Sequence, residues 1–221
     1  MSNITLYAKW NANTYLVFYR GNAQGNGTAP QSQMKTHGSD LTLAANTGTL
    51  QRTGYSFSGW NTQADGFGTD YTSGAVYNTD AEITLYAKWI AEEHNVTLNK
   101  QGGSGGSDSI TATYDSAMPS ATAPTKAGYL FDGYYDQIDG GGTQYYCSAM
   151  AGSKAWEKTG NSILYAKWAV AYTASFNSQN GSSVSSMEGV RQGLRIIELT
   201  APARDGYIFG GWFKDISCVI K

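Results

Sequence analysis

The chain has 221 residues, enough for one large domain or two ordinary ones. Its 13% aromatic content argues against disorder, and a formal charge of −2 with no basic run argues against nucleic acid or an anionic membrane surface as partner. No stretch approaches the ~20 apolar residues that a membrane helix needs, and two isolated cysteines, Cys147 and Cys218, are too few for a disulfide framework or a structural zinc site.

In chain order, the first element is ITLYAKW (4–10), which follows MSN and shows no signal-peptide pattern. Ile4, Leu6, Ala8 and Trp10 alternate with Thr5, Tyr7 and Lys9, which predicts a strand with one apolar face. LYAKW returns at 85–89 and 164–168, 79 residues apart each time (85 − 6 and 164 − 85). A long period of this kind governs the reading of every local motif.

The next element, TYLVFYRGN (14–22), alternates Tyr15, Val17 and Tyr19 and then runs into Gly and Asn, a strand entering a turn. Its counterparts are HNVTLNKQGG (94–103), with His94, Val96 and Leu98, and AYTASFNSQNG (171–181), with Tyr172, Ala174 and Phe176. Residues 34–51 are ambiguous between a strand at 40–43 and a short helix near 43–46. Then comes GYSFSGW (54–60), repeated as GYLFDGY (128–134) and GYIFGGW (206–212), each preceded at one offset by a basic residue: Arg52, Lys126 and Arg204. Tyr55, Phe57 and Gly59 alternate with Ser56, Ser58 and Trp60, and the small Gly59 predicts close strand contact or a bulge. ADGFGTDY (64–71) and QIDGGGTQYY (137–146) read as hairpin connections, because Asp-Gly and Gly-Gly supply positive φ.

The expected organisation is a remnant final strand (1–10), a first repeat (11–89), a second (90–168) and a truncated third (169–221). After GYIFGGWFKD the third runs into ISCVIK, where the other copies carry Gly-rich turns and LYAKW. The fold class expected is mainly β to α+β, with at most short helices, as a tandem array of ~79-residue modules.

Three markers in fixed order resemble the internalin-type B repeat, or Listeria–Bacteroides repeat, of bacterial cell-surface proteins. The residues that carry the likeness are GYSFSGWNT (54–62), the turn at 64–70 and ITLYAKW at 83–89. Tyr134 and His94 depart from the pattern, as does the unfinished third repeat. The resemblance implies β-grasp-like modules, two complete and one truncated. It also implies an extracellular, cell-surface or cell-wall location, and a role as stalk, spacer or adhesion segment.

A module of this size needs a few large side chains to hold it, since each buried aromatic contributes up to about 4–6 kcal/mol. Tyr55, Phe57, Trp60 and Trp89 are therefore expected as core. The competing reading is a carbohydrate-binding face. Tyr7, Lys9, Tyr86, Lys88, Tyr165 and Lys167, on the outer side of the final strands, would present a repeated Tyr/Lys ladder to a glycan or a host surface.

Catalysis is not expected. His37 and His94 are the only histidines, and His94 fills a slot that is Tyr15 and Tyr172 in the other copies. QGGSGGS (101–107) lacks the GK[ST] of a phosphate loop. No metal or other cofactor is expected, because Asp65, Asp70, Asp136 and Asp139 differ in spacing between repeats and turn chemistry accounts for them. Finally, the spare strand at 4–10 and the unfinished third repeat predict self-association by strand donation.

Overall fold

The computed structural model describes residues 3–23, 25–193 and 200–214. The first repeat builds one mixed sheet from β1 (Thr14–Arg20), β2 (Gln33–Thr36), β4 (Tyr55–Asn61), β5 (Asp70–Tyr71) and β7 (Ile83–Ala91), in the order β2-β1-β7-β4-β5. Two short strands, β3 (Leu41–Thr42) and β6 (Val76–Tyr77), pair separately. Strand β7, which contains LYAKW, lies at the centre. It runs parallel to β1, with Val17 opposite Ile83 and Tyr19 opposite Leu85, and antiparallel to β4, with Phe57 opposite Trp89 and Trp60 opposite Ala87. This is a β-grasp-like order in which the two parallel strands are the ends of the repeat.

That position explains the constancy of LYAKW. Hydrogen-bonded on both edges, β7 must alternate cleanly, and Leu85 and Ala87 are fully buried. The small Ala87 stands directly opposite Trp60 and leaves room for the indole. In the second repeat Ala166 stands opposite Tyr134 in the same way.

The bulge at Gly59 corrects the face assigned to Trp60. Simple alternation would put Trp60 on the side opposite Phe57, but the ladder shifts register between Phe57 and Gly59, where φ is 135°. Both rings therefore point inward and meet edge to face at 5.1 Å. Residues 34–51 take the strand option at β3 and contain no helix. Leu43 and Leu50 instead cover the core with Val17, Tyr19, Trp60, Tyr77 and Leu85.

The second repeat repeats the plan with β8 (Glu93–Asn99), β9 (Ser109–Thr113), β10 (Tyr129–Tyr135), β11 (Gln144–Tyr146) and β12 (Ser162–Val170), ordered β11-β10-β12-β8-β9. Its bulge falls at Gly133, with φ 122°. A single 3-10 turn at Ile138–Gly140 is the one helical element among the described residues. The third repeat contributes β13 (Tyr172–Ala174) and β14 (Met187–Val190), an antiparallel pair. Residues 207–213, which match β4, form no strand there. Residues 3–10 lie in no sheet either, and Ile4, Leu6, Tyr7 and Trp10 are 84–90% exposed. The ISCVIK stretch lies outside the described residues.

By compactness the chain divides into two units, one of Met1–Asn95, Thr111–Ala117 and Ala155–Ser162, the other of Val96–Ile110, Met118–Lys154 and Ile163–Lys221. The division does not follow the sequence period. Within the first unit, Tyr114 packs edge to face on Tyr55 at 5.6 Å, Asp115 accepts from the Tyr55 hydroxyl at 3.2 Å, and Tyr114 N donates to Glu92 O. Within the second, Arg191 donates to Asp132 at 2.8 Å. In each unit the stretch just after the second strand of one repeat, Tyr114 and Asp115 after β9 and Arg191 after β14, is fastened to the GY marker strand of the repeat before it.

Candidate functional site

On β7 and β12 the Tyr/Lys ladder stands where alternation puts it, but Lys88 and Lys167 are engaged. On β7, Lys88 lies 2.5 Å from Asp70, whose other oxygen accepts from Asn61 Nδ2. The Lys88 hydrogen bond, then Asn61, holds the Asp70 carboxyl below the usual carboxylate range. On β12, Lys167 lies 3.5 Å from Asp132 and 5.5 Å from the Tyr135 ring centre. Tyr86 and Tyr165 are half-buried. Tyr7 and Lys9 are exposed on a segment that joins no sheet, so the expected outer strand face is absent there.

A second constellation recurs, and it gives the constant basic residue a place. Arg52 stacks on Tyr55, its guanidinium carbon 3.8 Å from the ring centre; Lys126 lies 4.7 Å over Tyr129, and Arg204 4.0 Å over Tyr207. Beside the first clamp, Trp89 Nε1 donates to Asn22 O at 2.8 Å; beside the second, Trp168 Nε1 donates to Lys100 O at 2.9 Å. The result is a hollow of about 340 Å³ bordered by Arg52, Tyr55, Phe57 and Trp89. Its counterpart, about 290 Å³, is bordered by Lys126, Tyr129, Trp168 and Asp139. Each hollow offers aromatic edges, a cation and backbone polar groups, a combination suited to a sugar ring. The one-offset basic residue was the sequence signal for this site, but only the fold shows that LYAKW's tryptophan closes it.

A third cluster, on the hairpin β1–β2, was not legible. Lys35 is buried and lies 2.5 Å from Asp80, which also accepts from the Gly38 N–H at 3.2 Å and faces His37 Nδ1 at 2.8 Å. The Lys35 hydrogen bond holds the Asp80 carboxyl below its ordinary range.

The remaining candidates have local uses. Asp65 Oδ1 accepts from Phe67 N and Asp136 Oδ1 from Thr143 N, both turn-stabilising bonds. Among the described residues no three His, Cys, Asp or Glu side chains gather as a metal site. His94 is half-buried, 3.8 Å from Glu92. Burial pushes the phenols of Tyr134 and Tyr146 up to about 12, so both are neutral core groups near pH 7. Cys147 is a free, half-buried thiol, and Cys218 lies outside the described residues.

The repeated plan is decisive when set against known families. A family model described as the Listeria–Bacteroides repeat domain matches residues 15–88, 94–167 and 172–221. The chain belongs to the Listeria–Bacteroides repeat family. The family's period coincides with the sheets, each match opening on the first strand of a repeat and, in the two complete ones, closing on LYAKW. Among relatives, a protein of Evansella cellulosilytica provisionally named a Gly-rich membrane protein is 36% identical over 214 residues, 96% of this chain and 24% of that protein. Internalin H of Listeria monocytogenes is 31% identical over 106 residues, 48% of this chain and 18% of the internalin. The chain thus spans about a quarter or less of the length of these curated relatives. No helix among the described residues is long and apolar enough to cross a membrane.

Proposed function

We propose that this chain is a non-catalytic, extracellular repeat segment of a bacterial surface protein that acts by geometry, as a stalk or spacer carrying an adhesive part away from the cell. The observation that carries the reading is the use made of the recurring aromatics. Trp60 and Tyr134 are fully buried, Phe57 and Phe131 brace them edge to face, and Trp89 and Trp168 in turn pack edge to face on those phenylalanines, so the constant residues hold modules together. The chain also passes from β7 to β8 through Glu92 alone, and from β12 to β13 through Ala171 alone, which leaves little slack between repeats.

The test is solution scattering on the chain and on versions lengthened by further copies of residues 11–89. The maximum dimension should grow by a constant step of roughly 30 Å per copy. A dimension that stays flat, as the chain folds back on itself, removes the spacer reading.

The paired hollows at Arg52/Tyr55/Trp89 and Lys126/Tyr129/Trp168 support a second reading, adhesion to a glycan. Carbohydrate array binding that disappears when Arg52 and Lys126 are both changed to Ala would favour it. Binding that survives would place the glycan elsewhere, and an array that the unaltered chain does not bind would remove the reading.

A further inference from the structure

The recurring cation is held differently in the first repeat than in the others. The turn after the opening strand carries a left-handed residue at one place in each repeat: Asn22 (φ 49°), Gln101 (φ 50°) and Gln179 (φ 48°). In the second repeat Lys126 Nζ donates to Gln101 O at 3.0 Å, and in the third Arg204 Nη1 donates to Gln179 O at 3.1 Å. In the first repeat the matching carbonyl, Asn22 O, is taken by Trp89 Nε1 at 2.8 Å. Trp168 Nε1 instead takes Lys100 O, one residue earlier, and leaves Gln101 O to the lysine. Arg52 therefore stacks on Tyr55 while its guanidinium donates to no acceptor among the described residues.

That unengaged fork borders the hollow of about 340 Å³, a volume within the range of small-ligand sites. The lining lies wholly in the first compact unit and holds no carboxylate; Asn26, Thr53 and Thr159 line it as exposed polar residues. Asp115 accepts from the Tyr55 hydroxyl at 3.2 Å and does not border the hollow. The second hollow is the opposite case. Asp139 borders it, Lys126 is tied to Gln101 O, and Lys167 faces Asp132 at 3.5 Å. A guanidinium with unused N–H groups matches a planar carboxylate with two parallel bonds, and stacking on Tyr55 fixes its plane before a ligand arrives. The aromatic edges of Tyr55 and Trp89 and the polar residues around them suit a hydroxylated ring. We infer that the first hollow binds a carboxylate-bearing sugar, a uronic acid residue of an acidic glycan, with its carboxylate on Arg52. The second hollow does not share this preference. The inference rests on the glycan reading of the hollows and narrows it to one charge class and one repeat.

The test is titration calorimetry on the 221-residue chain with tetrasaccharides of glucuronate, galacturonate and mannuronate, each beside its neutral methyl ester. At least one uronate should bind about tenfold or more tighter than its ester, and the difference should shrink as salt rises. Arg52→Gln should abolish that preference, and Lys126→Gln should leave it within about twofold. Arg52 and Lys126 are both only partly buried, and urea midpoints check that each variant is folded. Acid and ester bound alike, or a preference that Arg52→Gln retains, overturns the inference and leaves the glycan reading standing. A preference lost as fully in Lys126→Gln overturns its placement in the first hollow. A sulfated neutral tetrasaccharide that binds as tightly as the uronates overturns the choice of a carboxylate. Binding of no saccharide, on the panel or on an array, removes the inference and the glycan reading together.

Discussion

The first and third repeats carry the same GY-x-F-x-G-W marker and treat it differently. In the first, residues 55–61 are a seven-residue strand locked to β7, and Trp60 is fully buried. In the third, the same pattern at 207–213 is strandless, with Tyr207 and Ile208 in solvent. The marker letters are shared, with Ser56 and Ser58 replaced by Ile208 and Gly210, and the two stretches differ in what they meet. A half-buried strand has little intrinsic preference of its own; its stability comes from neighbours across the ladder and from the face it covers. In the first repeat it is β7, carrying LYAKW, that pairs with the marker along its length.

The largest effect that breaks this contrast is expected at the tryptophans. Trp60→Ala removes a fully buried indole and leaves the Ala44 carbonyl without its donor, and should cost about 3–5 kcal/mol in urea unfolding. Trp212→Ala loses mainly two ring contacts and should cost roughly 1 kcal/mol. Equal costs would mean that the third repeat is as well packed as the first. The bulge glycines sharpen the same point. At Gly59 an added Cβ would lie 2.5 Å from the Tyr71 carbonyl oxygen, on backbone already at φ 135°, so Gly59→Ala should cost about 1–3 kcal/mol. At Gly211 the nearest atom is 3.7 Å away and no ladder holds the segment, so Gly211→Ala should cost clearly less. Urea midpoints of the two variants provide the comparison.

Much of this plan is legible from alternation and turn chemistry. The inward face of β7 (Ile83, Leu85, Ala87, Trp89) follows from a period of two, and the β4–β5 hairpin from Asp65-Gly66. What was illegible depends on pairing over distance. Nothing local says that Val17 meets Ile83, 66 positions later, or that a one-residue bulge returns Trp60 to the side of Phe57. Lys35 was missed because lysine reads as surface, and the Asp80 that permits its burial is 45 residues away. Of the candidate site residues, Lys88 and Lys167 were placed on the correct strand face, but the carboxylates that hold them were not foreseen.

Lys35 also separates the first repeat from the second. Gly38 and Asp115 both have positive φ three residues after Lys35 and Ala112, so the matching buried position in the second repeat is the alanine. The Asp80 carboxyl is held below its ordinary value, chiefly by the Lys35 hydrogen bond. A carboxylate lowered in the folded state adds stability above its unfolded value of about 3.9, and that stability is lost as pH falls through the lower folded value. The wild type should therefore lose stability from about pH 4 downward. Lys35→Met should flatten that acid slope without abolishing it, because Asp70 is lowered as well, by Lys88 and Asn61. Urea midpoints at neutral pH and near pH 3 measure the difference, and an unchanged slope would show that the pair contributes nothing through its charge.

The smallest expected effect decides what the repeated cation is for. Arg52 lies 3.8 Å from the centre of Tyr55, and Lys126 4.7 Å from that of Tyr129. Cation–π contacts at partly exposed sites contribute about 0.5–1 kcal/mol, and the planar guanidinium stacks better than an ammonium. A double-mutant cycle of Arg52→Ala with Tyr55→Leu should return a coupling in that range, and Lys126→Ala with Tyr129→Leu a smaller one. Tyr55 is the ring onto which Tyr114 and Asp115 are fastened, so a real coupling makes the clamp part of the joint between successive repeats. A coupling of zero would remove the stability explanation for a basic residue at the same offset in all three markers. The hollow beside Trp89 would then be the better account of its recurrence, and the balance would move from spacer towards glycan adhesion.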